Sequence, residues 1–364
     1  MERKTGIVST IGPVLFVDEG IERAIAAGVD VARFNFSHAE QEGLEKIAEY
    51  FQRVIDAREK AGRDVKIMQD LQGPKIRLGC LLNNMLVVKA GDIITLDYQM
   101  FDKCMTSDGG LKLPVQYNLA EKVKVGENIF LYDGKVQAVV TEIASDTSIK
   151  IEAKNDGILM SRKGINLPDT DFGNDVFPEK DVKDLTWGAT QPIDWVAVSF
   201  IHNAENLRDI RKRMVDLGIG DRKIVAKIET RQATHDNAVM EEIVKEADII
   251  MVARGDMAYE VGFEKVPTVQ RKLVGLCRKH GKPCIVATQT MMSMMETPEP
   301  SRAETSDVAN AYITGATHVM TSDETTNGKY PIETIDAMDK VLRYTEANVK
   351  QTPVEDILSS VGLA

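Results

Sequence analysis

Short runs of crowded apolar and β-branched residues recur along the chain. Between them lie longer stretches in which apolar positions return every three or four residues and the rest are charged. The short runs are GIVSTI from Gly6, DVARFNFS from Asp30, VKIMQDL from Val65, DWVAVSF from Asp194, KIVAKIE from Lys223, DIIMVARGD from Asp248, KPCIVAT from Lys282 and THVMTSD from Thr317, and they predict eight strands. The longer stretches predict helices over Gly20 to Ala27, Gln41 to Ala61, Ala204 to Leu217, Ala233 to Glu246, Val269 to His280, Arg302 to Ile313 and Pro331 to Glu346. Alternation of strand and helix marks an α/β fold with a parallel sheet. Eight such units point to a (β/α)8 barrel of the TIM type rather than an open doubly wound sheet.

The alternation breaks once, between the third strand and the fourth. From Lys75 to Gly164 the pattern changes to short strands and turn signals such as AGD, VGEN, YDGK and NDG. This predicts a barrel in two parts, residues 1–74 and 165–350, with an all-β insertion over 75–164 that would lie above the barrel mouth as a lid. Residues 351–364 form a tail with room for one helix.

Composition narrows the class without changing the fold. With 43% hydrophobic and 28% charged residues, the chain of 364 residues reads as a soluble globular protein. A net charge of −11 argues against a general binder of nucleic acid or of anionic membranes, although local cations can still line one cleft. Cys80, Cys104, Cys277 and Cys284 show neither a C-x-x-C pair nor zinc spacing, which suits a reduced cytoplasm without a disulfide framework. Gly12, Pro13, Asp18 and Glu19 interrupt the only amino-terminal apolar run that could mimic a signal peptide, and no run reaches transmembrane length.

Candidate chemistry comes from the strand ends. Lys227 and Glu229 stand two residues apart at the end of KIVAKIE and therefore face the same side. In a barrel, active sites use residues at the carboxyl ends of strands. Those ends supply Arg33, Asn35, Ser37 and His38; Asp70 and Arg77; Lys227 and Glu229; Arg254 and Asp256; Thr288; and Ser322 and Glu324. Carboxylates without neighbouring His or Cys suit a hard divalent cation such as Mg²⁺. Arginines and a lysine suit a phosphorylated, carboxylated substrate.

The segments KTGIVSTIGP, GVDVARFNFSHA, QDLQGPKIRLG, KGINLP, EKDVKDL, VAVSFI, VAKIET, IIMVARGDM, GKPCIVATQTM and SRAETSDVANAYITGATHVMTSDETTNGKYPIE occur in the order found in pyruvate kinases. Over residues 4 to 346 the chain resembles that family. The resemblance implies transfer of the phosphoryl group of phosphoenolpyruvate to ADP, giving pyruvate and ATP. It places Lys227 over the transferring group, with Glu229 and Asp256 on Mg²⁺ (or Mn²⁺) and Arg33 on the phosphate. Thr288 and the backbone of Gly255 and Asp256 would hold the substrate carboxylate and enolate, and Ser322 and Glu324 would lie near the proton-delivery route. Asn35, His38 and Arg77, together with Arg33, would face the nucleotide. In most members Asn35, Ser37, Asp70 and the main chain at Leu71 would bind K⁺.

Several positions depart from the family's pattern. Lys75 stands where a Glu is usual, which implies that K⁺ is not required, because a tethered ammonium supplies the charge. Leu71, Gln72, His202, Asn203, Thr230, Ala258, Asp323 and Asn327 also differ, and the loss of positive charge at some of them implies weaker ADP binding. The resemblance further implies that no carboxyl-terminal allosteric domain follows and that the barrel assembles as a homo-oligomer, a dimer, through MMSMMETPEPSRAETSDVAN. The same residues leave two alternatives open: a Mg²⁺-dependent lyase or aldolase that stabilises a pyruvate enolate, and a non-catalytic barrel of the same ancestry.

Overall fold

The computed structural model describes residues 3–39, 43–101, 111–170, 172–173 and 176–363. They group into two units. The first comprises the chain up to Gly73, Val176–Gly255, and the chain from Glu264 onward; the second comprises Pro74–Asp175 and Asp256–Phe263.

The first unit is a closed barrel of eight parallel strands: β1 (Gly6–Thr10), β2 (Val31–Asn35), β3 (Lys66–Asp70), β13 (Trp195–Val198), β14 (Lys223–Ile228), β15 (Ile249–Ala253), β16 (Cys284–Ala287) and β17 (His318–Thr321), with β4 to β12 in the second unit. Each of the eight predicted runs supplies one of them, in chain order around the barrel. Every strand sends an apolar side chain into one buried cluster, among them Val8, Val31, Met68, Ala197, Val225, Met251, Ile285 and Met320, which fills the interior as packed core. Among the described residues, eight helices of two turns or more surround it, besides shorter ones: α1 (Gly20–Ala27), α2 (Leu44–Ala61), α3 (Glu179–Gly188), α4 (Ala204–Asp216), α5 (Asn237–Glu246), α6 (Val266–Lys279), α7 (Arg302–Thr314) and α8 (Pro331–Asn348).

Helix α3 lies outside the pattern-based prediction for a physical reason. Its buried residues are Asp181, Asp184, Leu185 and Gly188, so its inward face shows almost no apolar stripe. A Cβ on Gly188 would come within 2.1 Å of Gln69 Oε1, and Gln69 Nε2 donates to the Asp184 carbonyl at 2.8 Å. The helix is therefore docked largely by polar groups and close backbone approach, with Leu185 and the Trp187 ring against Phe36 and Phe51 as its apolar contacts. The segment predicted as one helix from Ala233 is a short turn, Arg231–Thr234, followed by α5, because the Asp236 side chain accepts from Ala238 N and starts a new helix there.

The barrel closes between β1 and β17, with Gly6 opposite His318 and Ser9 opposite Thr321. The start of the chain is tied to the last barrel helix: Arg3 pairs with Asp339 at 2.8 Å, and the backbone N–H groups of Lys4 and Thr5 each donate to the Glu346 carboxylate at 2.8 Å. Beyond α8 the tail holds one short helix, Val354–Ser360, whose Ile357 and Leu358 are buried.

The second unit is all β apart from short helical turns. Strands β4 (Ile76–Arg77), β6 (Ile93–Asp97), β7 (Leu111–Pro114), β8 (Asn128–Leu131), β9 (Val136–Ser145), β10 (Ser148–Ala153) and β12 (Gly164–Asn166) form one sheet, and β5 (Met85–Val88) pairs with β11 (Gly157–Met160). Its core, built on Leu78, Ile94, Leu96, Ile129, Leu131 and Ile149, is its own. Cys80 in this unit is disulfide-bonded, contrary to the expectation of no disulfide, whereas Cys277 and Cys284 are buried and free. Among the described residues no helix is long and apolar enough to cross a membrane.

Candidate active site

Side chains two apart on a strand share a face. The interior residues Val8, Val31, Met68, Ala197 and Val225 are each followed, two positions on, by a polar residue: Thr10, Arg33, Asp70, Ser199 and Lys227. The barrel's core thus ends in a layer of hydroxyls and charges at the carboxyl ends of five strands.

These groups are joined into one network. Arg33 donates from Nε to Asp70 Oδ2 at 2.6 Å and from Nη1 to Thr10 Oγ1 at 2.7 Å. Lys227 Nζ donates to Ser199 Oγ at 2.6 Å and lies 3.2 Å from Asp70 Oδ1 and 3.9 Å from Glu229 Oε1. Ser199 passes its own proton to the Leu71 carbonyl at 2.8 Å, and Phe200 N donates to Glu229 Oε1 at 2.9 Å. Asp70 is fully buried and Glu229 is 1% exposed, so these charges interact in a medium far less screening than water. Burial alone would push the Asp70 carboxyl up. Lys227 and Arg33 outweigh it and hold the group below the usual carboxylate range.

Backbone strain is concentrated at the same level. Phe200 has φ +58°, Thr288 +68° and Gln289 +52°, all in the left-handed region that side chains rarely adopt. Gly73, with φ +72°, packs so closely on the end of β13 that a Cβ would lie 2.7 Å from Ser199 Cβ. A Gly73→Ala variant should therefore lose about 1–3 kcal/mol of stability. Urea unfolding measures this, and an unchanged midpoint would show that the turn yields freely.

The ends of β15, β16 and β17 form a neighbouring group. Arg254 pairs with Asp307 at 2.7 Å and donates to the carbonyls of Ala287 at 3.0 Å and Thr288 at 2.6 Å, which fixes the main chain around Thr288. Thr288 Oγ1 is buried without a hydrogen-bond partner, and a Cβ added to Gly255 would meet it at 3.6 Å, in ordinary van der Waals contact. Glu324 is fully buried and accepts from Met291 N at 3.0 Å and Ser322 N at 2.7 Å. It braces the loops after β16 and β17, while Ser322, half-buried, sits at the start of the turn Asp323–Thr326.

After β2, Asn35 Oδ1 accepts from Ser37 N at 3.1 Å. The side chain of His38 lies outside the described residues. The first turn of α3 reaches this region twice. Lys180 Nζ donates to the Phe36 carbonyl at 2.9 Å and pairs with Asp184 at 2.6 Å. Asp181, fully buried, accepts from Gln72 N at 3.2 Å and Gly73 N at 2.8 Å. Burial pushes the Asp181 carboxyl up to about 6, although the two backbone donors and Lys180 oppose the rise.

Lys75, Arg77 and Asp256 belong to the second unit. There Lys75 Nζ donates to Asp256 Oδ1 at 2.7 Å, and Asn166 Nδ2 donates to Asp256 at 3.2 Å and to Glu260 at 3.0 Å. Burial draws the Arg77 guanidinium's pKa down, opposed by Asp256 and Asp133.

Within the barrel, then, the structure joins the expected Arg33, Asp70, Leu71, Lys227 and Glu229, and sets Gly255 beside Thr288 and Ser322 beside Glu324. Reading the sequence passed over Thr10, Ser199 and Asp181. For the first two a signal existed, since each stands two residues beyond an interior position of its strand. Asp181 carried none, because its helix lacks an apolar stripe.

A closed (β/α)8 barrel whose core ends in paired arginine, lysine and buried carboxylates has the build of a barrel enzyme. Comparison with known proteins narrows the class. A family model described as "Pyruvate kinase, barrel domain" matches residues 2–335. The chain is 38% identical to a pyruvate kinase of Corynebacterium efficiens over 351 residues, covering 96% of this chain and 71% of that one. It is 37% identical over 338 residues to one of Hypocrea jecorina (92% and 61%) and 36% identical over 364 residues to one of Geobacillus stearothermophilus (99% and 59%). The chain belongs to the pyruvate kinase family.

Proposed function

We propose that this chain transfers the phosphoryl group of phosphoenolpyruvate to ADP, giving pyruvate and ATP. The observation that carries the reading is the Lys227 ammonium, held among Ser199, Asp70 and Glu229 beside Arg33. In the reaction the bond between phosphorus and the enol oxygen breaks, an oxygen of the ADP terminal phosphate takes the phosphoryl group, and the enolate left behind gains a proton at carbon. Charge on the transferring group is spread over its oxygens, so catalysis rests on positioning and on fixed positive charge. Lys227 supplies that charge over the phosphoryl group, and Arg33 grips its oxygens. The unpartnered Thr288 hydroxyl suits the substrate carboxylate, and the resemblance assigns Ser322 and Glu324 to the proton-delivery route.

The residues also fit a divalent cation. Mg²⁺ takes one or two carboxylates and fills its remaining positions with water and substrate oxygens, and Glu229 offers a buried hard donor at the strand end. When bound, such an ion neutralises substrate oxygens as a Lewis acid. Asp256, the second ligand implied by the resemblance, is engaged with Lys75 and Asn166 within its own unit. Freedom from a potassium requirement rests on Lys75 in the sequence. A cytoplasmic dimer formed through the barrel is part of the same reading.

The test is pyruvate formation from phosphoenolpyruvate and ADP with Mg²⁺ in potassium-free buffer. We expect turnover that chelation of Mg²⁺ abolishes and that added K⁺, at constant ionic strength, changes by less than about threefold. No turnover with or without potassium would overturn the reading, and strong activation by K⁺ would overturn its potassium clause alone.

A further inference from the structure

The first turn of α3 makes contacts that the proposed chemistry does not use. We propose that Asp181 is a positioning residue for Lys227 and Glu229, acting through the turn Leu71–Gly73 on the end of β13. The inference deepens the functional reading above and rests on it for the roles of those two residues.

The chain of contacts is continuous and lies wholly within the barrel unit. Asp181 takes the N–H groups of Gln72 and Gly73, one on each carboxylate oxygen. That grip fixes the direction of the preceding carbonyl, Leu71, which accepts the Ser199 hydroxyl at 2.8 Å. Ser199 in turn receives the Lys227 ammonium at 2.6 Å. A second path runs by contact. Gly73 lies so close that a Cβ would meet Ser199 Cβ at 2.7 Å and Phe200 Cδ2 at 2.9 Å, and Phe200 N holds Glu229 at 2.9 Å. Movement of the turn would thus shift both the ammonium and the carboxylate.

A merely structural aspartate would be a poor choice here. The group is fully buried, and its raised pKa means that the folded state prefers it protonated. Because the folded value of about 6 exceeds the ordinary 3.8, its contribution to stability is complete below 3.8 and is lost as pH rises through about 6. Lys180, Asp184 and the N–H groups of Gln72 and Gly73 are the charged and polar groups that face it, and at neutral pH they do not offset burial. A carboxylate that costs stability where it is ionised, yet holds two N–H groups at a strand end, fits a positional task.

The experiment compares Asp181→Asn and Asp181→Ala with the parent at about pH 8, well above the raised pKa. Three readouts are taken: kcat and KM for phosphoenolpyruvate and ADP, the rate of reductive methylation of Lys227 followed by peptide mass spectrometry, and the melting temperature. We expect kcat to fall about 10- to 100-fold in the alanine variant and less in the asparagine variant, which keeps one acceptor, with KM for ADP unchanged within about threefold. We also expect the melting temperature of Asp181→Asn to equal or exceed that of the parent, and Lys227 to be methylated several-fold faster in both variants, on the order of the lost protection. Unchanged kcat together with unchanged Lys227 labelling in folded variants overturns the proposal. If the parent shows no turnover at all but labelling of Lys227 still rises in the variants, the positional link stands and the functional reading falls instead.

Discussion

Lys227→Ala lowers kcat for phosphoryl transfer by about 10²–10³-fold while leaving the Michaelis constant for phosphoenolpyruvate within a few-fold of the parent. The effect follows from where the Lys227 ammonium sits. It is 14% exposed, hydrogen-bonded to Ser199 and flanked by the carboxylates of Asp70 and Glu229, so its position is fixed before substrate arrives. Two unit charges about 4 Å apart at an effective dielectric constant of 20 interact by roughly 4 kcal/mol. Spent on charge that develops only as the phosphoryl group leaves, that energy appears in kcat rather than in substrate affinity. The fold should survive, because Asp70 keeps Arg33 at 2.6 Å. Lys227→Arg should recover little, since a planar fork does not reproduce a single point contact to Ser199. Steady-state kinetics in a coupled assay reads the effect, and a kcat within about threefold of the parent would remove Lys227 from the chemistry.

The second large effect is on stability. Asp70→Asn leaves Arg33 and Lys227 on either side of a neutral amide, each buried or nearly so, with Arg33 robbed of its carboxylate and Lys227 left with the more distant Glu229 at 3.9 Å. Breaking a buried ionic arrangement from one side typically costs about 3–5 kcal/mol, far more than the arrangement itself contributes. The expected result is a clear drop in the urea midpoint at neutral pH. The pH dependence carries the sign. The parent's Asp70 is held below 3.8, so its contribution is present above 3.8 and is lost as pH falls through the lower folded value. The variant lacks that acid limb. Removing Lys227 in the Asp70→Asn background should return part of the lost stability, because the repulsion between its ammonium and the Arg33 guanidinium disappears. An Asn variant as stable as its parent at neutral pH would contradict the account.

The barrel was legible because its logic is carried by periodicity. Each of β1, β2, β3 and β13 to β17 carries at least three consecutive buried residues, and runs such as Ile249–Ala253 are apolar and buried throughout. The charged ends of those strands were legible too, since Arg33, Asp70 and Lys227 break apolar runs where a barrel places its chemistry. Legibility failed where polar groups carry the packing. Helix α3 is docked by Asp181, Lys180, Asp184 and Gly188, and no hydrophobic pattern announces such a helix. Ser199 was overlooked because a lone serine after WVAV resembles a strand ending in a loop, and only its alternation with Ala197 reveals that it turns inward. Glu324 was read for its proximity to chemistry, but its two backbone donors show a carboxylate that holds loops.

The stitching of Arg3, Lys4 and Thr5 to Asp339 and Glu346 has a consequence for how the chain is made. Strand β1 leaves the ribosome before the other barrel strands, yet one of its two edges pairs only with β17, more than three hundred residues later. At about 5–20 residues per second, that edge stays open for some tens of seconds while helices and the inserted unit form. The nascent barrel therefore carries an adhesive strand until β17 emerges, and shielding by chaperones matters most to it before that strand is made.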